Sequence, residues 1–380
     1  MRAARHTPAL ALALALLPGA LLADDSVFGI RGLGILGRPV SARSAAAGGA
    51  FGLFDAQGGL NPAALSAWRG VAGWGVGVPS RRRFESAAGD ATLTSTRFPL
   101  FGFATVLGPR LVLGVTISDY LDRNWLVSRT TDTTLRGDSV TIEDEIQSAG
   151  GVSDLRLAAA WRASGRLAVG FGLHFLTGST RLVARRRFDD PAYADFSDVS
   201  VTRFSGVGAS LGAVASLRPN LTVAGTVRAG SSLRATSDRA GRAEVALPLE
   251  LSGGVMYGPA PGVLLAVSAS HSQWSRANAD LVAAGESAAR DVWSLGAGLE
   301  VASLRRGGAR MPARLGYRWR QLPFLIGGEE LSERAVSAGF GLNLTGGRTT
   351  LDFALERGSR SAAGSRESFT ALSVGLTVRP

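Results

Sequence analysis

The chain has 380 residues, 46% of them apolar, with 50 Gly, no Cys and a formal charge of +11 whose basic side chains are all Arg. The missing Cys excludes a disulfide framework, a thiolate metal site and a Cys nucleophile, and three His (His6, His174, His271) are too few for an imidazole zinc site. Charged residues, at 19%, fall below the roughly 25% of soluble domains, and the Arg are spread along the chain rather than gathered into a nucleic-acid footprint. No cofactor, metal or nucleic-acid partner is expected.

Residues 1–23 come first. Arg2 and Arg5 precede an apolar run from Pro8 to Ala23, broken at Pro18, with small residues at Ala20 and Ala23. This is the order of a secretory signal peptide, and the run is too short and broken for a membrane anchor, so export is expected. Beyond it no apolar run nears the ~18 residues of a membrane helix.

Residues 24–69 are rich in Gly and Ala. The stretch Arg43-Ser44-Ala45-Ala46-Ala47-Gly48-Gly49-Ala50 leads to Gly58-Gly59-Leu60-Asn61-Pro62-Ala63-Ala64-Leu65. Asn61 suits a helix N-cap and Pro62 the first helical position. The Gly-Gly pairs beside small residues suit a segment pressed against other backbone, such as a plug inside a barrel.

Residues 70–380 have period two. Leu167, Val169, Phe171, Leu173 and Phe175 alternate with Ala168, Gly170, Gly172 and His174, and Leu372, Val374, Leu376 and Val378 alternate with Ser373, Gly375 and Thr377. About 14 such segments run from 70–84 to 366–379, many of them as long as the ~9–11 residues that cross a bilayer at a tilt. Their connections alternate in kind. Gly108-Pro109, Ser164-Gly165, Pro219-Asn220, Pro259–Gly262 and Gly346-Gly347 are tight turns, with Arg305–Met311 a longer exception, whereas Thr130–Ile142, Asp189–Val199, Ser275–Ala289 and Gly358–Ser365 read as longer polar loops. A soluble sandwich has no reason to sort loop lengths this way, whereas outer-membrane barrels do. Lipid also requires a closed sheet, since an open edge leaves backbone groups unpaired. The predicted fold is therefore all-β: a closed antiparallel transmembrane β-barrel of about 14 strands with an N-terminal plug.

With the apolar face on lipid, the alternate face lines the lumen. It carries Asp154, Arg156, Arg162, Arg228, Glu250 and Arg320, and an expected ion network of Glu300, Arg314, Arg318, Asp352 and Glu356. An Arg placed outward at mid-membrane would cost about 2–4 kcal/mol, which specifies the register. In or beside the longer loops lie Trp125, Leu126, Phe188, Tyr193, Phe196 and Trp274, candidates for contacting an apolar ligand. No sequence motif supplies His174 or His271 with a nucleophile and an orienting acid, so no enzyme is expected.

The order of signal peptide, Gly-Gly-Ala segment, Asn61-Pro62-Ala63 and about 14 strands resembles the FadL-type fatty-acid and hydrocarbon transporters and, equally, their PorV-type relatives of a protein secretion system. Pro312-Ala313-Arg314-Leu315-Gly316-Tyr317-Arg318 with Leu322-Pro323-Phe324, and Gly346-Gly347-Arg348 before Leu351-Asp352-Phe353-Ala354-Leu355-Glu356-Arg357, are similar to late strands of that superfamily. The ending, Val378-Arg379-Pro380, departs from the aromatic terminus of many such barrels. The resemblance implies an outer-membrane location and a hatch carrying Asn61, Pro62 and Ala63. It also implies a wall strand kinked open, with Pro99 and Pro248 as the candidates. Two activities follow from it: passive uptake of hydrophobic small molecules released sideways into membrane lipid, or docking of exported proteins.

Overall fold

The alternating segments all become strand. The protein is described here from a computed structural model covering residues 27–380 except 31, 87–88, 240, 287, 303–304, 307–308, 326–327, 345–346 and 363; the expected export segment lies outside the described residues. The wall consists of fourteen antiparallel strands. They are β1 (Ala72–Ser86), β2 (Gly89–Leu107), β3 (Leu111–Asp122 and Trp125–Leu135), β4 (Asp138–Arg162), β5 (Leu167–Phe188), β6 (Phe196–Arg218) and β7 (Leu221–Ser237). There follow β8 (Gly241–Ala246 and Glu250–Ala260), β9 (Val263–Ser272), β10 (Val292–Val301), β11 (Ala313–Gln321), β12 (Ser332–Leu344), β13 (Thr349–Ala362) and β14 (Ser365–Val378). Neighbours in sequence are neighbours in the sheet, and β14 pairs with β1 from Arg366↔Glu85 to Val378↔Gly73, which closes the barrel.

The two faces differ as the period demands. Along β5, Leu167, Val169, Phe171, Leu173 and Phe175 are exposed outward while His174 and Leu176 are buried inward. The inward charges Asp154, Arg156, Glu300, Arg314, Arg318, Asp352 and Glu356 are all buried.

Three stretches read as loops are more ordered than expected. Thr130–Ile142 is a strand extension closed by a two-residue hairpin, in which Arg136 (φ 53°) and Gly137 (φ 98°) both take the positive φ of a type I′ turn. Its run of β-branched Thr130, Thr131, Thr133 and Thr134 favours strand even in water. Gly358–Ser365 likewise continues β13 and β14. Ser275–Ala289 instead holds two short helices, Trp274–Ala277 and Asn278–Ala283. They close over an apolar cluster that includes Tyr120, Phe204, Leu233, Leu247, Leu281 and Phe324.

Within the lumen, residues 27–69 fold as two capped turns. Ser41 Oγ accepts from Ser44 N (3.1 Å) at the start of the helix Ala42–Ala46, and Asn61 Oδ1 accepts from Ala63 N (3.0 Å) at the start of the 3₁₀ turn Pro62–Ala67. The wall makes room for this backbone with glycine. A Cβ at Gly316 would lie 2.1 Å from Ala47 C, one at Gly170 2.3 Å from Ala63 N, and one at Gly212 2.0 Å from Asn61 Oδ1. Any side chain at these wall positions would push the plug away.

Candidate lumen path and wall opening

Among the described residues two of the fourteen strands are broken, and one of these breaks leaves the wall unpaired. The ladder between β2 and β3 runs from Leu107↔Leu111 to Leu100↔Ser118 and stops there. Pro99 is the next residue of β2. It sits in a bulge, since Val76 pairs with Leu100 while Val78 pairs with Arg97, so that Phe98 and Pro99 share Gly77. Proline lacks the donor that the ladder needs and is at home in such a bulge. Beyond it β2 pairs with β1 alone.

On the other side of the parting, β3 bends as well. Its register against β4 slips at Tyr120, and the strand breaks at Arg123-Asn124. Asn124 pins the break by accepting from Gly150 N (2.8 Å), and only glycine suits position 150, where φ is 122° and a Cβ would meet Ser179 O at 2.1 Å. The edge that β3 leaves free is not bare. The hatch adds a two-residue strand to it, with Ile35↔Asp122, Leu36↔Leu121 and Gly37 N donating to Tyr120 O (2.8 Å). Arg97 and Asp122 pair across the parting at 2.5 Å.

Three cavities run through this region and share lining residues. The first, about 180 Å³, lies between the hatch and the lumen face of β8–β11, bordered by Leu53, Tyr120, Arg228, Glu250 and Ser270. The second, about 140 Å³, shares Leu36, Arg38, Asp119 and Arg318 with the first and reaches Arg97 and Pro99. The third, about 270 Å³, shares Arg97, Asp119 and Asp122 with the second and lies in the parting itself, beside Phe98, Leu121 and Ser153.

The predicted ion network, part of which lines the second cavity together with Arg97 and Pro99, is brought together and is larger than expected. Arg314 pairs with Glu300 and with Asp352, each at 2.6 Å, and Arg318 pairs with Glu356 at 2.8 Å. Glu333 sits among Arg318 (2.6 Å), Arg320 (2.9 Å) and Arg360 (2.6 Å), and Arg360 continues to Glu367 at 3.0 Å. Two hatch arginines join it: Arg43 to Glu300 at 2.8 Å and Arg38 to Glu356 at 3.0 Å. Burial opposes the charge of Arg43, and the Glu300 carboxylate against it outweighs burial, so its guanidinium lies above its ordinary pKa. The hatch is also held by wall arginines acting as backbone clamps: Arg156 donates to Gly59 O (2.8 Å) and Gly58 O (3.1 Å), and Arg162 to Ser66 O (2.9 Å).

The remaining residues singled out in the sequence are scattered. Asn61 donates to Leu53 O (2.9 Å) and to Ala213 O of β6 (3.3 Å), placing Asn61, Pro62 and Ala63 against β5 and β6 rather than the parting. Pro248 lies in the break of β8, but that side is covered: Gln273 N donates to Leu249 O (2.9 Å) and Ala246 N to Asp280 Oδ2 (2.8 Å). Trp125 and Leu126 are half-buried where β3 resumes. Phe188 and Tyr193 pack together with ring centres 5.4 Å apart, Phe196 is 60% exposed, and Trp274 is 0% exposed against Phe324.

His174, which no sequence motif supplies with an acid or a hydroxyl, meets both in space: Nδ1 lies 2.8 Å from Asp154 Oδ2 and Nε2 2.9 Å from Ser210 Oγ. The three sit on adjacent strands β4, β5 and β6, a neighbourhood that no local motif reveals. Ser210 is buried, and the cavity beside His174 measures only about 10 Å³, too small for an acyl substrate. The trio joins strands.

Arg97, Asp122, Asn124, Glu333 and Arg360 were missed in the sequence. Alternation places Glu333 inward with Ala335 and Ser337, so its phase could have found it. The Gly150-Gly151 pair in mid-strand was a signal for the bend.

No family model and no curated protein matches the sequence. Solved structures do. A FadL homologue of Pseudomonas aeruginosa aligns with a TM-score of 0.60 at 12% identity, over 90% of this chain and 99% of that one. The CymD monoaromatic hydrocarbon channel aligns at 0.57 and 18% identity, over 92% and 99%. The Pseudomonas putida toluene transporter TodX aligns at 0.56 and 13%, over 86% and 97%. The fold is that of the FadL-type barrels.

Proposed function

We propose that this chain, with its FadL-type fold, is an outer-membrane channel for passive uptake of hydrophobic small molecules, releasing them sideways between β2 and β3. The end with tight turns faces the periplasm and the extended strands face outward. The observation that carries this reading is the continuity of the three cavities from the lumen to the parting at Pro99. A solute entering from outside meets the hatch below, which is clamped and in backbone contact with the wall. The lateral way is closed by fewer contacts, namely the Ile35–Leu36 strand and the Arg97–Asp122 pair. An apolar solute gains about 25 cal/mol for each Å² it withdraws from water, so the bilayer beside the parting is a sink that needs no energy source. Trp125 and Leu126, bordering the break in β3, are the proposed apolar contacts at the entrance. Docking of exported proteins has no comparable path in its favour.

The test is uptake of labelled alkanes, monoaromatics and fatty acids by liposomes carrying the purified barrel, beside a Ser153→Trp variant that fills the wall cavity. Uptake above that of empty liposomes, reduced several-fold by Ser153→Trp, is expected. Uptake no faster than in empty liposomes would end the channel reading, and a variant as fast as the parent would end the lateral route.

A further inference from the structure

The outward face carries a feature that uptake does not use. On β10 and β11 the upper border of the apolar band is aromatic, with Trp293, Tyr317 and Trp319 facing outward, as barrel girdles commonly are. Register carries the same rows onto β12, β13, β14 and β1. In one row Tyr317 pairs with Val336, Val336 with Arg357, Arg357 with Thr370 and Thr370 with Arg81. In the next, Trp319 pairs with Arg334, Arg334 with Ser359, Ser359 with Ser368 and Ser368 with Arg83. Arg366 stands one row higher, opposite Ser361 and Glu85. Along this sector the girdle turns from aromatic to arginine.

All five arginines are exposed. Arg83 pairs with Glu85 at 3.0 Å, whereas Arg81, Arg334, Arg357 and Arg366 have no acidic partner among the described residues. They stand directly above the outward apolar rows, which include Leu372, Leu355 and the stacked rings of Phe340 and Phe353, 5.0 Å apart. One strand, β14, separates Arg81 from Arg357, two spacings or about 10 Å at the usual strand separation. Interleaved hydroxyls of Ser359, Ser361, Ser368 and Thr370 offer both donors and acceptors.

We propose that the outward faces of β12, β13, β14 and β1 bind the phosphorylated sugar headgroup of an outer-leaflet glycolipid, its acyl chains lying on the Phe340–Phe353 wall. Unpaired guanidiniums grip phosphate oxygens two at a time, and spread over several strands they suit a headgroup with more than one phosphate. The serines suit sugar hydroxyls. A zwitterionic phospholipid would leave most of this set unused. The inference rests on the outer-membrane placement proposed above, with the extended strands outward, and not on transport.

Native mass spectrometry of the detergent-solubilised protein tests it, with bisphosphorylated lipid A, phosphatidylglycerol, phosphatidylethanolamine and sodium pyrophosphate as separate probes. Lipid A adducts are expected at about tenfold lower concentration than phosphatidylglycerol adducts, a ratio set by the number of bidentate contacts. The variant Arg81→Gln/Arg334→Gln/Arg357→Gln/Arg366→Gln should lose about tenfold in lipid A retention. The control Arg181→Gln/Arg203→Gln, on β5 and β6, should lose none. Unchanged retention in the fourfold variant, equal loss in the control, or binding of pyrophosphate or phosphatidylethanolamine as tight as that of lipid A would each overturn the proposal. Hydrocarbon uptake by the fourfold variant should stay at the parent's rate, which shows that it is folded. A parent that retains lipid A yet takes up no hydrocarbon would defeat the channel reading alone.

Discussion

The two sides of this barrel solve opposite problems with the same strand chemistry. From β10 to β14 every ladder runs unbroken, from Ser294↔Arg320 to Thr349↔Val378, and the charges among the inward positions are paired with charges. From β2 to β4 the ladder stops at Leu100↔Ser118, and the gap is filled by two residues of the hatch and one ion pair across it. The first side cannot open without exposing several arginines and carboxylates inside a low-dielectric wall. The second can open by losing few hydrogen bonds. Residues 27–69 are therefore joined to the wall by charge pairs on the β10–β14 side and by fewer contacts at β2–β3.

The comparison breaks most readily at Glu333. Its carboxylate serves Arg318, Arg320 and Arg360 together. Glu333→Ala leaves three arginines facing one another, and a loss of about 3–5 kcal/mol is expected from the general cost of breaking a buried ion pair. Urea unfolding in liposomes, followed by tryptophan fluorescence, measures it; a loss below about 1 kcal/mol would show that this side is not the rigid one.

Gly316→Val acts on the hatch instead. The new side chain would occupy the space of Ala47 C, so the plug must shift, at a cost of about 1–3 kcal/mol for overpacking. Planar-bilayer recordings should then show a steady ion leak that the parent lacks. Arg43→Gln sharpens the same point more gently. It removes one cation from Glu300 while leaving Arg314 in place, and about 1.5–3 kcal/mol is expected for a charge-assisted contact. The leak should be smaller than in Gly316→Val, and a larger one would mean that charge, not backbone contact, seats the hatch.

The rigid side was legible in the sequence and the parting only partly so. Period two fixes which side chains face the lumen, so Glu300, Arg314, Arg318, Asp352 and Glu356 could be paired before any coordinates, because neighbouring strands bring alternate positions together. Asn61-Pro62-Ala63 was readable because a cap is a local event. The break at Arg123-Asn124 was not, because it depends on Gly150 of the next strand and on hatch residues nearly ninety positions earlier in the chain. Pro99 carried a signal as a missing donor, yet Pro248 carries the same one. What separates them is tertiary: a helical loop covers Pro248, and only two hatch residues stand beside the parting at Pro99. Aromatic residues misled for a related reason, since Trp274 and Phe196 both read as loop aromatics, one being buried under a helix and the other open to water.

The smallest expected effect on stability is also the one that bears most directly on the open side. Asp122→Asn removes the charge that meets Arg97 while keeping an oxygen for Asn124 N, which Asp122 Oδ1 now holds at 3.0 Å. Arg97 keeps 22% of its side chain exposed and Asp122 only 9%, and Asn at 122 keeps the volume and one oxygen, so stability should change by about 1 kcal/mol. Hydrocarbon uptake should nonetheless rise, because the pair ties β2 to β3 at the parting, beside the two backbone-paired residues Ile35 and Leu36. If uptake stays at the parent's rate while Ser153→Trp still blocks it, the path runs through the wall but the ion pair does not limit it. The control of opening would then pass to the Ile35–Leu36 strand, and Gly37→Pro, which removes the donor to Tyr120 O, becomes the substitution that should open it.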